Sequence, residues 1–316
     1  MQPLFLGVDG GQSSTTALIG DATGHVLGSG RGGPCNHVNA GDGKEKFVRA
    51  ISDCVREACQ AAGVRFETVE FEAACLGFSG GPKDKEPLLR QLLRCRRMVV
   101  VTDAPIALAG ATGGEPGVIT IAGTGSISWG RNREGKTARA GGWGYIFGDE
   151  GGGFDIVRRA LRAALRYEEG WGPPTALHSL LLEATGAASA NELMHAFYTV
   201  EYPRPKIAAL SKLVDEAALG GDAVARRILE TAAERLVEIT AAVRNQLFAL
   251  GEIVRIAYVG GVFKSELLRS RFQMLLESTE GNVVSPPKYG PAAGALLEAY
   301  AAAGLHPALD AAPELK

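Results

Sequence analysis

The sequence predicts an α/β protein in two halves, each built on a mixed sheet. Three observations lead there. Apolar runs of strand length alternate with stretches of helical periodicity along 316 residues, a length that accommodates two domains of ordinary size. An apolar strand followed by the turn Gly10-Gly11-Gln12-Ser13-Ser14 and a second strand opens the chain, and the same order returns around Gly123-Thr124-Gly125-Ser126. The 42 glycines gather beside Asp, Ser and Thr rather than in linkers. That placement points to backbone folded tightly around a ligand, because glycine lets main-chain N–H groups approach closely.

Residues 4–9 form a short apolar run ending on the Asp9 carboxylate, the pattern of a buried strand. Strands at 16–20 and 25–30 follow, joined by the hairpin connection Asp21-Ala22-Thr23-Gly24. Phe47, Val48, Ile51, Val55, Ala58, Cys59 and Ala62 then recur at helical spacing, and Gly63 stops that helix. Strands at 73–77 and 98–102 flank a helix over 86–94. The second half repeats the opening with strands at 118–122 and 127–130; the repeat is one of architecture, since residue identity between the halves is slight. A helix starts after Gly148-Asp149-Glu150-Gly151, and a long one covers 222–250. Its buried stripe is Ala225, Ile228, Leu229, Ala232, Leu236, Ile239, Val243 and Leu247. A strand at 253–259 ends in Gly260-Gly261, and a strand at 282–285 and a helix over 291–303 complete the pattern. The boundary falls near 112–117, giving domains 1–114 and 115–316, with the final helix able to pack back on the first.

Bulk properties exclude several classes. Formal net charge is -2, from 33 basic and 35 acidic residues, so no basic surplus exists for a nucleic-acid backbone. The N-terminal residues lack a signal-peptide pattern, and no run of about 18 apolar residues offers a membrane span, so a cytoplasmic protein is expected. The five cysteines (Cys35, Cys54, Cys59, Cys75, Cys95) include no C-x-x-C pair and read as reduced thiols.

Four glycine-rich segments follow strands. In Asp9-Gly10-Gly11-Gln12-Ser13-Ser14-Thr15, a strand-end carboxylate, two glycines and hydroxyls suit a turn whose N–H groups face phosphate. Asp9 would then hold Mg²⁺ through water, since Mg²⁺ keeps most of its hydration shell; the competing reading is a plain hairpin with a solvated aspartate. Ala122-Gly123-Thr124-Gly125-Ser126 stands at the matching place in the second half, and the pair would clamp a polyphosphate. Val259-Gly260-Gly261-Val262 suits either a nucleotide base or close strand–helix packing. Thr102-Asp103-Ala104 puts a carboxylate at a strand end, where it serves as a helix N-cap or as the base for a hydroxyl attacking a γ-phosphate. Between Gly141 and Gly153 the chain combines glycines with Trp143, Asp149 and Glu150. Sugar sites use such groups, an indole for the C–H face of the ring and a carboxylate for paired hydroxyls, although Asp149 also suits a helix N-cap. Asn36 adds an amide that both donates and accepts, while His37 reads as a loop histidine rather than a catalyst.

These segments resemble the N-acetylglucosamine kinase family, within the BadF/BadG/BcrA/BcrD-type ATPases of the sugar kinase, heat-shock ATPase and actin superfamily. The resemblance spans nearly the whole chain, from Gly7-Val8-Asp9-Gly10-Gly11 to Gly260-Gly261-Val262. It is most specific at Thr102-Asp103-Ala104, Ala122-Gly123-Thr124-Gly125-Ser126, Gly142-Trp143-Gly144 and Gly148-Asp149-Glu150-Gly151. It implies two actin-like, ribonuclease H-like domains with a cleft between them. It also implies transfer of the ATP γ-phosphate to an amino-sugar hydroxyl, O6 being the expected one, with Mg²⁺ as cofactor. By the same resemblance Asp103 is the catalytic base, and Asn36, Asp103, Gly142, Trp143, Gly144 and Asp149 contact the sugar. Ser13 and Thr124, with Gly10, Gly11, Gly123 and Gly125, meet the phosphates, while Gly260 and Gly261 lie near the adenosine. A homodimer is implied in the same way. The first turn departs from the family's usual D-G-G-G-T, since Gln12 replaces a glycine and Ser13 keeps the hydroxyl. Glucosamine or N-acetylmuramic acid are alternative acceptors. An ATPase activator of a reductase or dehydratase is a further alternative, disfavoured because such relatives carry a cysteine-bound cluster and no cysteine follows Cys95. A sugar-sensing regulator and the zinc-bearing sugar kinases are disfavoured too, the first for want of a DNA-binding segment before Leu4 and the second for want of a cysteine-rich loop.

Overall fold

The computed structural model describes residues 2–11, 13–35, 42–79 and 83–310. The chain divides into two compact units, Met1–Pro116 with Pro286–Lys316, and Gly117–Ser285.

In the first unit, β1 (Leu4–Gly10), β2 (Thr15–Asp21) and β3 (Val26–Gly32) form an antiparallel meander. After α1 (Gly43–Ala61), β4 (Phe71–Phe78) pairs parallel to β1; after α2 (Glu86–Leu92), β5 (Cys95–Thr102) pairs parallel to β4. The sheet order is β3-β2-β1-β4-β5. α3 (Asp103–Thr112) follows directly, and α11 (Pro291–Ala302), the last helix of the chain, belongs to this unit. Successive side chains of a strand point to opposite faces, so Leu6 and Val8 join Phe47, Ile51, Val55, Leu76 and Phe78 in a core under α1. Phe5, Leu18, Ala73 and Cys75 pack on the other face against Ile106, Leu296 and Tyr300. α11 crosses that face at backbone distance, because a β-carbon on Gly7 would lie 2.2 Å from the Leu296 nitrogen.

The second unit repeats the topology. β6 (Gly117–Ala122), β7 (Ser126–Arg131) and β8 (Thr137–Gly141) form the antiparallel part. Then come α4 (Gly153–Glu168), α5 (Leu177–Thr185), α6 (Ala190–Ala196), α7 (Arg204–Ala209), α8 (Ser211–Leu219) and α9 (Ala223–Leu247). β9 (Val254–Val259), parallel to β6, leads through a 3₁₀ turn (Gly261–Lys264) to α10 (Glu266–Glu277) and β10 (Asn282–Ser285). Read from its other end, β8-β7-β6-β9-β10, the sheet order matches that of the first sheet strand for strand.

Several expectations shift in detail. The helix expected over 86–94 ends at Leu92, and the long helix stops at Leu247. In the α9 stripe Ile239 is only partly buried, and Thr240 takes the interior place, bonded to Thr120 at 2.6 Å. All five cysteines are free thiols, and burial pushes Cys54 up to about 12. Among the described residues no helix is long and apolar enough to cross a membrane.

Candidate active site

The carboxyl ends of the three parallel strands of the first unit share one edge. Asp9 lies opposite Gly77, and Phe78 lies opposite both Gly10 and Thr102. β1 therefore delivers Asp9, β4 delivers Ser79 and β5 delivers Asp103 to the same edge, where open α/β sheets commonly bind ligands. Asp9 is partly buried, and its carboxyl is pushed up to about 6, first by burial and then by the charge of Asp103. Asp103 is the first residue of α3, whose N-cap is Thr102, so the helix-cap reading of Asp103 is replaced. Its carboxylate Oδ2 accepts a hydrogen bond from Ser79 Oγ at 2.8 Å. Ser79 played no part in the sequence reading.

The first glycine turn closes through Gly11 N–H to the Ser14 carbonyl at 3.0 Å, and the Gly11 carbonyl accepts from Cys35 N–H at 2.9 Å. Beneath it the buried Thr15 hydroxyl donates to the Gly33 carbonyl at 2.7 Å, while Ser13 and Ser14 are exposed. Gln12, Asn36 and His37 lie outside the described residues.

In the second unit the turn after β6 is fixed by α4. Gly153 and Phe154 N–H groups donate to the Gly123 and Thr124 carbonyls at 2.8 and 3.0 Å, so the opening of α4 is bonded to this turn. The N-cap of α4 is Gly152, which corrects the reading of Asp149 as a cap. Asp149 instead sits at φ 61°, the one non-glycine residue of positive φ among those described. Aspartate tolerates this left-handed region better than most side chains. Its carboxylate packs on Gly125, where an added β-carbon would fall 2.3 Å from Oδ2. Ser126 Oγ donates to the Glu150 carbonyl at 2.6 Å, tying the turn to the loop a second time. Buried Asp155 anchors the same corner, receiving Gly151 N–H at 3.2 Å and pairing with Arg158 and Arg159 at 2.6 and 2.9 Å.

Trp143 is 66% exposed, with the Arg139 guanidinium 4.6 Å from its ring centroid. Gly142 N–H donates to the Ser126 carbonyl at 2.9 Å, so the indole-bearing loop hangs from β7. The two glycines after β9 differ. Gly260 has φ 112°, and a β-carbon there would fall 2.2 Å from the Ala122 carbonyl oxygen; around Gly261 the space is open. Gly260 thus serves close packing beside the end of β6, and Gly261 borders open space.

Among the described residues no group of three or more His, Cys, Asp or Glu side chains is placed to hold a metal ion. The oxygen donors beside the first turn include the carboxylates of Asp9 and Asp103, close enough for the charge of Asp103 to raise Asp9. Such a hard, anionic and sparse donor set fits Mg²⁺, which takes one or two carboxylates and fills its remaining positions with water and phosphate.

The sequence matches the BadF/BadG/BcrA/BcrD ATPase family over residues 6–299. It is 37% identical over 265 residues to the N-acetylmuramic acid/N-acetylglucosamine kinase of Clostridium acetobutylicum, covering 82% of this chain and 85% of that protein. To the N-acetyl-D-glucosamine kinase of Dictyostelium discoideum it is 32% identical over 272 residues, again covering 82% and 85%. A crystal structure from Chromobacterium violaceum, assigned as an N-acetylglucosamine kinase, superposes with a TM-score of 0.75 at 27% identity, over 94% of this chain and 98% of that one. The glucokinase of the ROK family from Streptomyces griseus shares the fold at a TM-score of 0.54 and 20% identity, over 93% and 97% of the two chains.

Proposed function

This chain belongs to the BadF/BadG/BcrA/BcrD ATPase family, and from that premise we propose that it is an ATP-dependent amino-sugar kinase with N-acetylglucosamine as acceptor. The observation that carries the reading is the edge of the first sheet, where Asp103 stands oriented by a hydroxyl beside a second carboxylate, Asp9. The reaction moves the γ-phosphoryl group to a sugar hydroxyl, O6 in this proposal, leaving ADP.

Asp103 accepts the proton of the acceptor hydroxyl as it attacks phosphorus. Asp9 would hold Mg²⁺, and the ion when bound would offset the negative charge of the triphosphate. Ser13 and Thr124 donate hydroxyls to phosphate oxygens, while Gly10, Gly11, Gly123 and Gly125 let the two turns approach the phosphates closely; the Gly11 and Gly123 N–H groups are themselves bonded to the Ser14 and Gly125 carbonyls. Trp143 covers the apolar face of the sugar ring, while Asp149, Asn36, Gly142 and Gly144 address its hydroxyl and acetamido groups. Gly261 lies by the adenosine, with Gly260 behind it. The same reading makes the enzyme a cytoplasmic homodimer acting on a small-molecule sugar, without nucleic acid or membrane.

N-acetylmuramic acid stands as a second acceptor, because a 37% identical relative carries both sugars in its name. A coupled ADP-release assay across N-acetylglucosamine, N-acetylmuramic acid and glucosamine ranks them by kcat/KM. In that assay Asp103→Asn should lower kcat at least about 100-fold while sugar binding is largely kept. Near-normal turnover by Asp103→Asn would remove the base assignment.

A further inference from the structure

We propose that Ser79 is a positioning residue for phosphoryl transfer: it holds one oxygen of Asp103 so that the other faces the acceptor hydroxyl. The inference rests on the base role proposed for Asp103 and adds a residue to it.

The placement follows from topology. β4 lies between β1 and β5 in the sheet, and Phe78, its last residue, is in register with Gly10 on one side and Thr102 on the other. The next residue, Ser79, therefore emerges between the first glycine turn and Asp103. Its backbone N–H points at the Gly10 carbonyl at 3.4 Å, and its hydroxyl reaches Asp103 Oδ2 at 2.8 Å. An ionised carboxylate only accepts, so the serine hydroxyl is the donor, and a bond to a charged acceptor is stronger than a neutral one.

A short acidic side chain needs such an anchor here. Asp9 and Asp103 are close enough for the charge of one to perturb the other, and like charges turn away from each other when free to do so. A base must keep one oxygen about 3 Å from the proton it takes, and a misplacement of about 1 Å can cost roughly 100-fold in rate. Ser79 engages Oδ2, and in this proposal Oδ1 faces the acceptor. Its contribution lies in where the carboxylate points, so its loss should appear in turnover rather than in binding.

The experiment compares Ser79→Ala, Ser79→Thr and Asp103→Asn in the full chain, with kcat and both KM values measured. Positioning predicts that Ser79→Ala lowers kcat by roughly 10- to 100-fold, with KM for sugar and ATP changed less than about twofold. Ser79→Thr, which keeps the hydroxyl, should recover most of that loss. In the Asp103→Asn background, Ser79→Ala should change kcat less than about twofold, because the group it positions is gone. A Ser79→Ala enzyme with kcat within twofold of the parent overturns the proposal, as does a full further loss in the Asp103→Asn background. If Asp103→Asn itself turns over normally, the base reading fails and the positioning role falls with it. An inactive Asp103→Asn beside a normal Ser79→Ala sinks only the positioning role.

Discussion

Asp9→Asn should stabilise the first unit at neutral pH while disabling the enzyme. Asp9 is partly buried at the end of β1, and its carboxyl stands at about 6 against an ordinary 3.8, through burial first and the Asp103 charge second. For an acid whose folded value lies above its unfolded one, the folded state keeps its proton longer. The group's penalty is absent below pH 3.8, grows as pH rises through the window to about 6, and is complete above it. A shift of roughly two units at 1.36 kcal/mol each gives about 3 kcal/mol, and partial solvent access lowers this to about 1–3 kcal/mol. Asparagine has nearly the same shape and no charge to bury. The variant should therefore gain about 1–3 kcal/mol at pH 7.5 in magnesium-free buffer, and that gain should vanish near pH 4. Tryptophan fluorescence is the wrong probe, since Trp129, Trp143 and Trp171 all belong to the second unit. Urea-dependent hydrogen exchange of β1 and β4 peptides reads the first unit directly. Equal stability at pH 7.5, or the same difference at both pH values, would refute the reasoning.

Trp143→Ala should raise KM for the sugar about 10-fold or more and leave urea stability within about 0.5 kcal/mol, since the indole is 66% exposed; steady-state kinetics and a urea melt followed by circular dichroism check both. Gly125→Ala forces the Asp149 carboxylate away from a position 2.3 Å from the new carbon. It should depress kcat/KM at least about 10-fold and lower the melting temperature of the second unit, read by calorimetry with and without ATP.

The strands with dense apolar runs were legible to within a residue or two, because β1, β4, β6 and β9 are buried and their patterns admit no other element. β8 was missed: Thr137–Gly141 contains little beyond small and charged residues and lies at the sheet edge, where no burial pattern is imposed. The candidate site was legible as a set of segments of unusual composition, the glycine turns and the Trp143 loop, whose roles are proposed. It was not legible where registry decides. Whether Asp103 caps a helix or faces a ligand depends on its being N1 rather than N-cap, a difference of one residue that no propensity resolves. Ser79 carried a signal that went unused. A third parallel strand ends one residue earlier, at Phe78, so the residue that follows it belonged with the carboxylates delivered by its two neighbours. The left-handed backbone of Asp149 depends on packing against Gly125, a tertiary contact that local sequence does not encode.

The last helix has a consequence for biosynthesis. Phe5, Leu18, Ala73 and Cys75 are covered by a segment, Pro291–Ala302, that leaves the ribosome only after all of Gly117–Ser285 has been made. The inserted unit is contiguous and can fold as it emerges. The unit begun first must wait, with one greasy side of its sheet open to chaperones, until the helix that covers it has been made as well.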